Sequence, residues 1–303
     1  MLKVLLRKEV LSVFIYFDYF KHPLTGEEVW KYCKTAASKE KVQSCLEDLL
    51  EEGTLVFNAP YYALKGCETN IAVRSDFEPL NEKMLRRAHW MVSFMKYIPY
   101  VRGIAISGSL SKLGARDDSD IDYFIITAEN RVWFVKAIAI LIKKTLFLNS
   151  HKYLCVNYLL AENNLGLDKQ NRFQATEAIT LMPLFGKDVL RRFYNENQWV
   201  FDFFPNVSVE EKVGKKEAEK SRKRFVERLF NGGIGNWLES KAQEAFKRHG
   251  EKRYQAQKEK EAQEGYFEYS KDAAVLFPRN FELEVLDSYT TRVNDLVPVE
   301  AVD

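Results

Sequence analysis

Asp120 and Asp122 stand two residues apart in Asp118-Ser119-Asp120-Ile121-Asp122, a segment that opens an apolar run at 123–127. A run this short, rich in β-branched and aromatic residues, predicts a buried strand. Residues two apart in a strand share a face, so the two carboxylates project together while Ile121 turns toward the core. Adjacent carboxylates repel and are costly to hold without a cation. A hard divalent ion, Mg²⁺ or Mn²⁺, relieves that repulsion and takes further ligands from phosphate oxygens. Upstream, Ser107-Gly108-Ser109 ends another apolar run, 103–106. Glycine permits close backbone approach to a ligand, and the N–H groups that follow can cradle an anion. Phosphates held at the turn and a metal held at the Asp pair would make a site for phosphoryl or nucleotidyl transfer.

These residues resemble the signature of the nucleotidyltransferase superfamily typified by DNA polymerase β. That signature is a hydrophobic residue, Gly, Gly or Ser, a spacer, then Asp-hydrophobic-Asp/Glu-hydrophobic. Here it is Ser107-Gly108-Ser109, the spacer 110–119 and Asp120-Ile121-Asp122-Tyr123, with Ser107 departing from the hydrophobic first position. The resemblance covers residues 80–162. It implies Mg²⁺-dependent transfer of a nucleoside monophosphate from a nucleoside triphosphate, with ATP the expected donor and pyrophosphate released. The acceptor is left open among a small molecule, a protein side chain and an RNA end. Gly108, Ser109, Lys112 and Ser119 are the residues expected at the nucleotide, and Asp120 and Asp122 those expected at the metal.

The family carries a third carboxylate on the next strand, and here that strand is predicted at 152–160, KYLCVNYLL. The matching position is Asn157, whose amide oxygen can touch a metal but cannot accept a proton at neutral pH. Glu162 is the nearest acid, and its odd spacing from Asn157 puts it on the opposite face of a continuing strand. Three readings therefore stay open. One is an enzyme acting through Asp120, Asp122 and Asn157. Another is a nucleic-acid-binding regulator whose degenerate core senses nucleotide. The third is an antitoxin-like protein acting on a partner.

The elements that must hold these residues are legible around them. Apolar positions at helical spacing predict a helix at 80–97 before the first strand, with Lys83, Arg86 and Arg87 on or near its other face. A second apolar helix is predicted at 131–148. Further helices are expected at 173–185 and 189–195. Residues 67–79 read as a polar connector. Residues 1–66 read as a unit of three helices and a hairpin. Thr25 and Ser38 stand at N-cap positions, Glu28 completes a capping box with Thr25, and Gly53 stops the third helix. This order resembles a winged helix, which implies nucleic-acid contact through Lys39, Lys41, Gln43 and Ser44, although Glu40, Glu47, Asp48, Glu51 and Glu52 on the same helix would repel phosphates.

The expected fold class is α+β. A winged-helix-like unit at 1–66 precedes a nucleotidyltransferase core with covering helices at 80–205 and a charged helical region at 206–303. That layout resembles bacterial nucleotidyltransferase-domain proteins. Basic residues from Lys212 to Arg228 suggest a polyanion grip, but interspersed acids favour a solvated surface. Overall charge is uninformative: 45 Lys and Arg oppose 43 Asp and Glu in 303 residues. Cys33, Cys45, Cys67 and Cys155 form no CxxC pair and read as reduced thiols, as expected in the cytoplasm. The apolar run at 11–17 is too short to span a membrane.

Overall fold

The structure is a computed structural model that describes residues 2–146, 151–214, 227–228, 230–261, 266–277 and 281–296. It is a mixed α/β architecture around one mixed sheet. Three near-continuous apolar segments form its centre: β3 (Val101–Ser107), β4 (Asp122–Thr127) and β5 (Cys155–Ala161). Such segments suit strands covered on both faces. β3 runs antiparallel to β4, and β4 runs parallel to β5, with α6 (Val132–Leu146) as the crossover that a parallel link requires.

Helices cover both faces. On one side, α5 (Glu78–Met95), α6 and the long helix Gly233–Glu261 bury Met84, Ala88, Met91, Met95 and Trp133 against Ile104, Ile106 and Ile125. On the other, α7 (Arg172–Thr180), α8 (Lys187–Glu196) and α9 (Trp199–Phe203) set Ile179, Leu190, Phe193 and Val200 against Ala105, Phe124 and Ile126. The buried faces of these helices therefore pack on the sheet that carries the Asp pair.

Three strands were not expected. β6 (Met182–Phe185) lies inside a segment read as helix, and it pairs with β3 at the edge of the sheet. Pro183 is tolerated there because an edge strand needs only one side of its hydrogen-bond ladder. β7 (Tyr266–Tyr269) and β8 (Ala273–Phe277) extend the sheet beyond β5 in the order β6-β3-β4-β5-β8-β7. The region 206–303 is thus not purely helical. Residues 67–79 also differ from the connector expected, since α4 (Thr69–Asp76) occupies most of them. Lys215, Lys216, Lys220, Arg222, Lys223 and Arg224 lie outside the described residues.

The N-terminal elements are α1 (Leu2–Asp18), α2 (Gly26–Tyr32), α3 (Lys39–Glu51) and the hairpin β1 (Leu55–Asn58) and β2 (Tyr61–Leu64), with Leu24 bridging to Tyr62. The Thr25–Glu28 capping box and the Ser38 cap are both formed, as the spacing predicts. Phe14, Phe17, Leu24, Leu46 and Leu49 bury one another, and Val285 of the last helix, Phe281–Leu296, completes that core. Asn206 fastens these elements to the sheet region. Its side chain donates to the carbonyls of Trp30 and Thr35 at 2.8 and 3.2 Å and accepts from the Ala37 N–H at 3.0 Å. Among the described residues, no helix is long and apolar enough to cross a membrane.

Candidate functional site

The antiparallel register sets Ser107 opposite Asp122, so the end of β3 and the start of β4 meet at one edge. Gly108 then leaves β3 with φ +67°, a left-handed conformation that side chains other than glycine rarely adopt. The space beside it is also taken. A Cβ on Gly108 would fall 2.5 Å from Oδ2 of Asp122. Two independent constraints thus demand glycine here, and the second means that the Asp122 carboxylate packs directly on the turn.

The turn is held from within. Ser111 Oγ and Lys112 Nζ both donate to the Gly108 carbonyl, at 2.8 and 3.1 Å. The Ser109 carbonyl accepts from the N–H groups of Lys112 and Gly114 at 3.1 and 3.0 Å. Lys112 reaches further, to Glu177 of α7 at 2.9 Å, and its side chain is only 12% exposed. The segment before β4 closes through Ser119 N–H to the Arg116 carbonyl at 3.0 Å and Arg116 N–H to Ser119 Oγ at 2.9 Å. Asn81 of α5 braces the same loop by accepting from the Ala115 N–H and donating to its carbonyl. Asp120 follows this turn half-buried, and Ile121 is 1% exposed in the core. That alternation is the one strand parity predicts.

β5 lies against β4 with Cys155 opposite Asp122. The register then slips by one residue before Phe124 pairs with Tyr158. The slip is a bulge, a device that re-aims side chains where a ladder is interrupted. Asn157 sits in it and donates from Nδ2 to Cys155 Sγ at 2.9 Å. The Cys155 thiol is in turn hydrogen-bonded to Asp122. Behind the bulge, the buried Lys136 donates to the Val156 carbonyl at 2.8 Å.

The electrostatics follow from this packing. Burial pushes the Asp122 carboxyl up to about 6, and the charges of Asp120 and Glu177 add to the effect. The Cys155 hydrogen bond and Lys112 oppose it. Burial also pushes the Cys155 thiol up, reinforced by Asp122, so this cysteine is a neutral donor rather than a thiolate. Lys212 of α10 (Val209–Val213) is pushed down to about 7, first by burial and then by the charges of Lys31 and Lys112. Lysines from α2, the turn and α10 therefore share one electrostatic neighbourhood.

Gly108, Ser109, Lys112, Asp120, Asp122 and Asn157 thus gather at one end of β3, β4 and β5. Two expected roles change. The Ser119 hydroxyl accepts within its own turn, and Lys112 is already paired with Glu177, so a ligand would have to displace these contacts to reach either. Glu162 lies at the opposite end of β5, paired with Arg102 and Arg192 at 3.5 Å each, which removes it as a substitute for the third carboxylate. Cys155 and Glu177 are the residues that sequence reading missed. Cys155 was detectable, because it precedes Asn157 by two positions on the same strand. Glu177 had no local signal, since α7 brings it from a distant part of the chain. Among the described residues, no three His, Cys, Asp or Glu side chains converge to hold a metal unaided.

Comparison with known proteins returns no match among family models, curated proteins or solved structures.

Proposed function

We propose that this chain binds a nucleoside triphosphate at the Gly108–Asp122 end of the sheet and transfers its nucleoside monophosphate to an acceptor. The observation that carries this reading is a pair of neighbouring carboxylates, packed on a glycine turn, whose nearby lysine, Lys112, is ion-paired with Glu177 instead. Asp120 and Asp122 fit a Mg²⁺ or Mn²⁺ ion that shares its coordination with phosphate oxygens, because among the described residues no three His, Cys, Asp or Glu side chains converge to hold a metal unaided. Such an ion, when bound, would neutralise charge on the triphosphate. Gly108 and Ser109 would give their backbone to the phosphates, and ATP is the expected donor.

In the transfer itself, an acceptor oxygen forms a bond to the α-phosphorus. The bond from that phosphorus to the β-phosphate oxygen breaks, and pyrophosphate leaves. Asn157 has no basic atom for the acceptor's proton. Glu177 supplies one: phosphate oxygens arriving at the turn would compete for Lys112, and the carboxylate that Lys112 releases would take the proton. Around this core, the helix–helix–helix–hairpin order of residues 1–66 supports a winged-helix-like contact module.

A second reading is favoured by one feature, the Asn157–Cys155 hydrogen bond in place of a third acid. In it the core binds nucleotide as a signal and transfers nothing. Incubating the full chain with α-labelled ATP, CTP, GTP and UTP and Mg²⁺, with and without cell extract, separates the two. Label on an acceptor with release of pyrophosphate supports transfer. Saturable Mg²⁺-dependent binding without transfer supports the sensor. Absence of nucleotide binding overturns both.

A further inference from the structure

The face of α5 turned away from the sheet carries an aromatic stripe that the core does not use. Met84, Ala88, Met91, Val92 and Met95 already fill the buried face of this helix. Trp90, Phe94 and Tyr97 nevertheless project on the other side, 54%, 56% and 64% exposed. Trp90 and Phe94 stand one turn apart on the helix, and Tyr97 follows in the turn just beyond its C-cap, Lys96. Trp90 and Phe94 meet edge to face with centroids 4.7 Å apart. Three adjacent exposed rings are an unfavourable surface for a chain to leave wet unless something covers them.

Cations border the row. Lys83 and Arg86 are exposed two turns and one turn before Trp90, and Lys96 lies 5.3 Å from the Tyr97 ring. Arg86 pairs with Glu82 at 3.6 Å, both side chains being about 70% exposed, and such a contact is worth little in water. Polar His89 and Ser93 are exposed next to Trp90 and Phe94, so the stripe is not the continuous apolar face that a lipid interior or an obligate protein interface requires. Separate rings with flat faces, bordered by lysine and arginine, suit a ligand with both stacked planes and negative charge. A double helix hides its base faces, so the planes must come from unpaired bases.

We propose that this face of α5 binds a single-stranded polynucleotide, with bases stacked on Trp90, Phe94 and Tyr97 and phosphates met by Lys83, Arg86 and Lys96. The surface is independent of any chemistry at Asp120 and Asp122. Binding should be tolerant of sequence and should weaken steeply with salt, because each neutralised phosphate releases counterions.

The test uses the full chain with fluorescein-labelled twelve-residue oligo(U) and oligo(dT), measured by anisotropy at low salt. Phe94→Ala should weaken binding roughly 5- to 100-fold, the loss typical of one stacked base. The triple change Trp90→Ser, Phe94→Ser, Tyr97→Ser should abolish binding, with an unchanged circular dichroism spectrum because all three rings are exposed. Lys83→Glu with Arg86→Glu should flatten the salt dependence. A duplex of the same length should bind about tenfold more weakly or worse. The proposal is overturned by no binding of either oligonucleotide, by equal binding of duplex, or by full binding in the triple variant. It is also overturned if the triple variant instead loses sedimentation with phosphatidylserine vesicles or dissociates a dimer of the unaltered chain.

Discussion

Acids at the two ends of the central strands are treated in opposite ways. At one end, Glu162 lies between Arg102 and Arg192. Beside it, Glu227 accepts from Arg102 at 2.8 and 3.0 Å and from the Tyr100 N–H at 2.8 Å. At the other end, Asp120 and Asp122 are neighbours, and the nearby Lys112 belongs to Glu177. A buried acid that serves only the fold is normally paired, because an uncompensated charge in the interior is strongly unfavourable. In the function proposed above, the acid pair at the glycine turn holds its charge for a metal and nucleotide instead. The contrast separates acids tied into ion pairs with arginine from acids proposed to await a ligand.

The largest expected effect tests that division by function. Asp120→Ala or Asp122→Ala should weaken binding of Mg²⁺ with a non-hydrolysable ATP analogue by about 10³-fold, roughly 4 kcal/mol. Glu162→Gln should leave that affinity within about twofold, since its partners lie at the opposite end of β5. Calorimetric titration of the three variants compares the two ends directly.

Stability should respond in the opposite sense. Glu227→Gln leaves Arg102 with only the longer contact to Glu162 and should lower the unfolding free energy by about 3 kcal/mol. Asp122→Asn removes a charge that the fold does not compensate and should raise it at neutral pH by roughly 1–3 kcal/mol. The sign follows from the raised Asp122 carboxyl, at about 6 in the folded state. Its contribution is complete below the unfolded value of about 4 and is lost as pH rises through about 6. Urea denaturation should therefore show stability falling across that window in the unaltered protein, with a smaller fall in Asp122→Asn. An identical slope in both proteins would place the titration elsewhere.

The smallest effect concerns Asn157. Asn157→Asp adds a third acid beside the pair and should tighten Mg²⁺ in the presence of the ATP analogue by about tenfold, roughly 1.4 kcal/mol. It should also destabilise the ligand-free protein, because it breaks the hydrogen bond to Cys155 and adds repulsion. Unchanged metal affinity would mean that the bulge aims residue 157 away from the pair.

Much of this site was legible in the sequence because its signals are local. The Asp120–Asp122 spacing fixes their shared face, Ile121 anchors the parity, and Gly108 marks the turn position with no room for a Cβ beside Asp122. What was not legible depends on register and on distant pairing. Cys155 faces Asp122 only because β5 is parallel to β4 and bulged after that pair. Glu177 arrives on a helix whose sequence gives no hint of Lys112. β6 was read as helix because four residues containing a proline carry little periodicity. β7 and β8 were missed because they follow a long charged helix and join the sheet at its other edge. Caps and apolar helix faces, by contrast, were readable wherever the partner lies within a turn or two.

The most direct test of the central claim is Mn²⁺ binding followed by electron paramagnetic resonance, with and without a non-hydrolysable ATP analogue. The expected result is weak Mn²⁺ binding to the protein alone, strong binding when the analogue is present, and loss of that gain in both Asp120→Ala and Asp122→Ala. A nucleotide-dependent gain that survives in either variant, or no gain in the unaltered protein, would contradict the account.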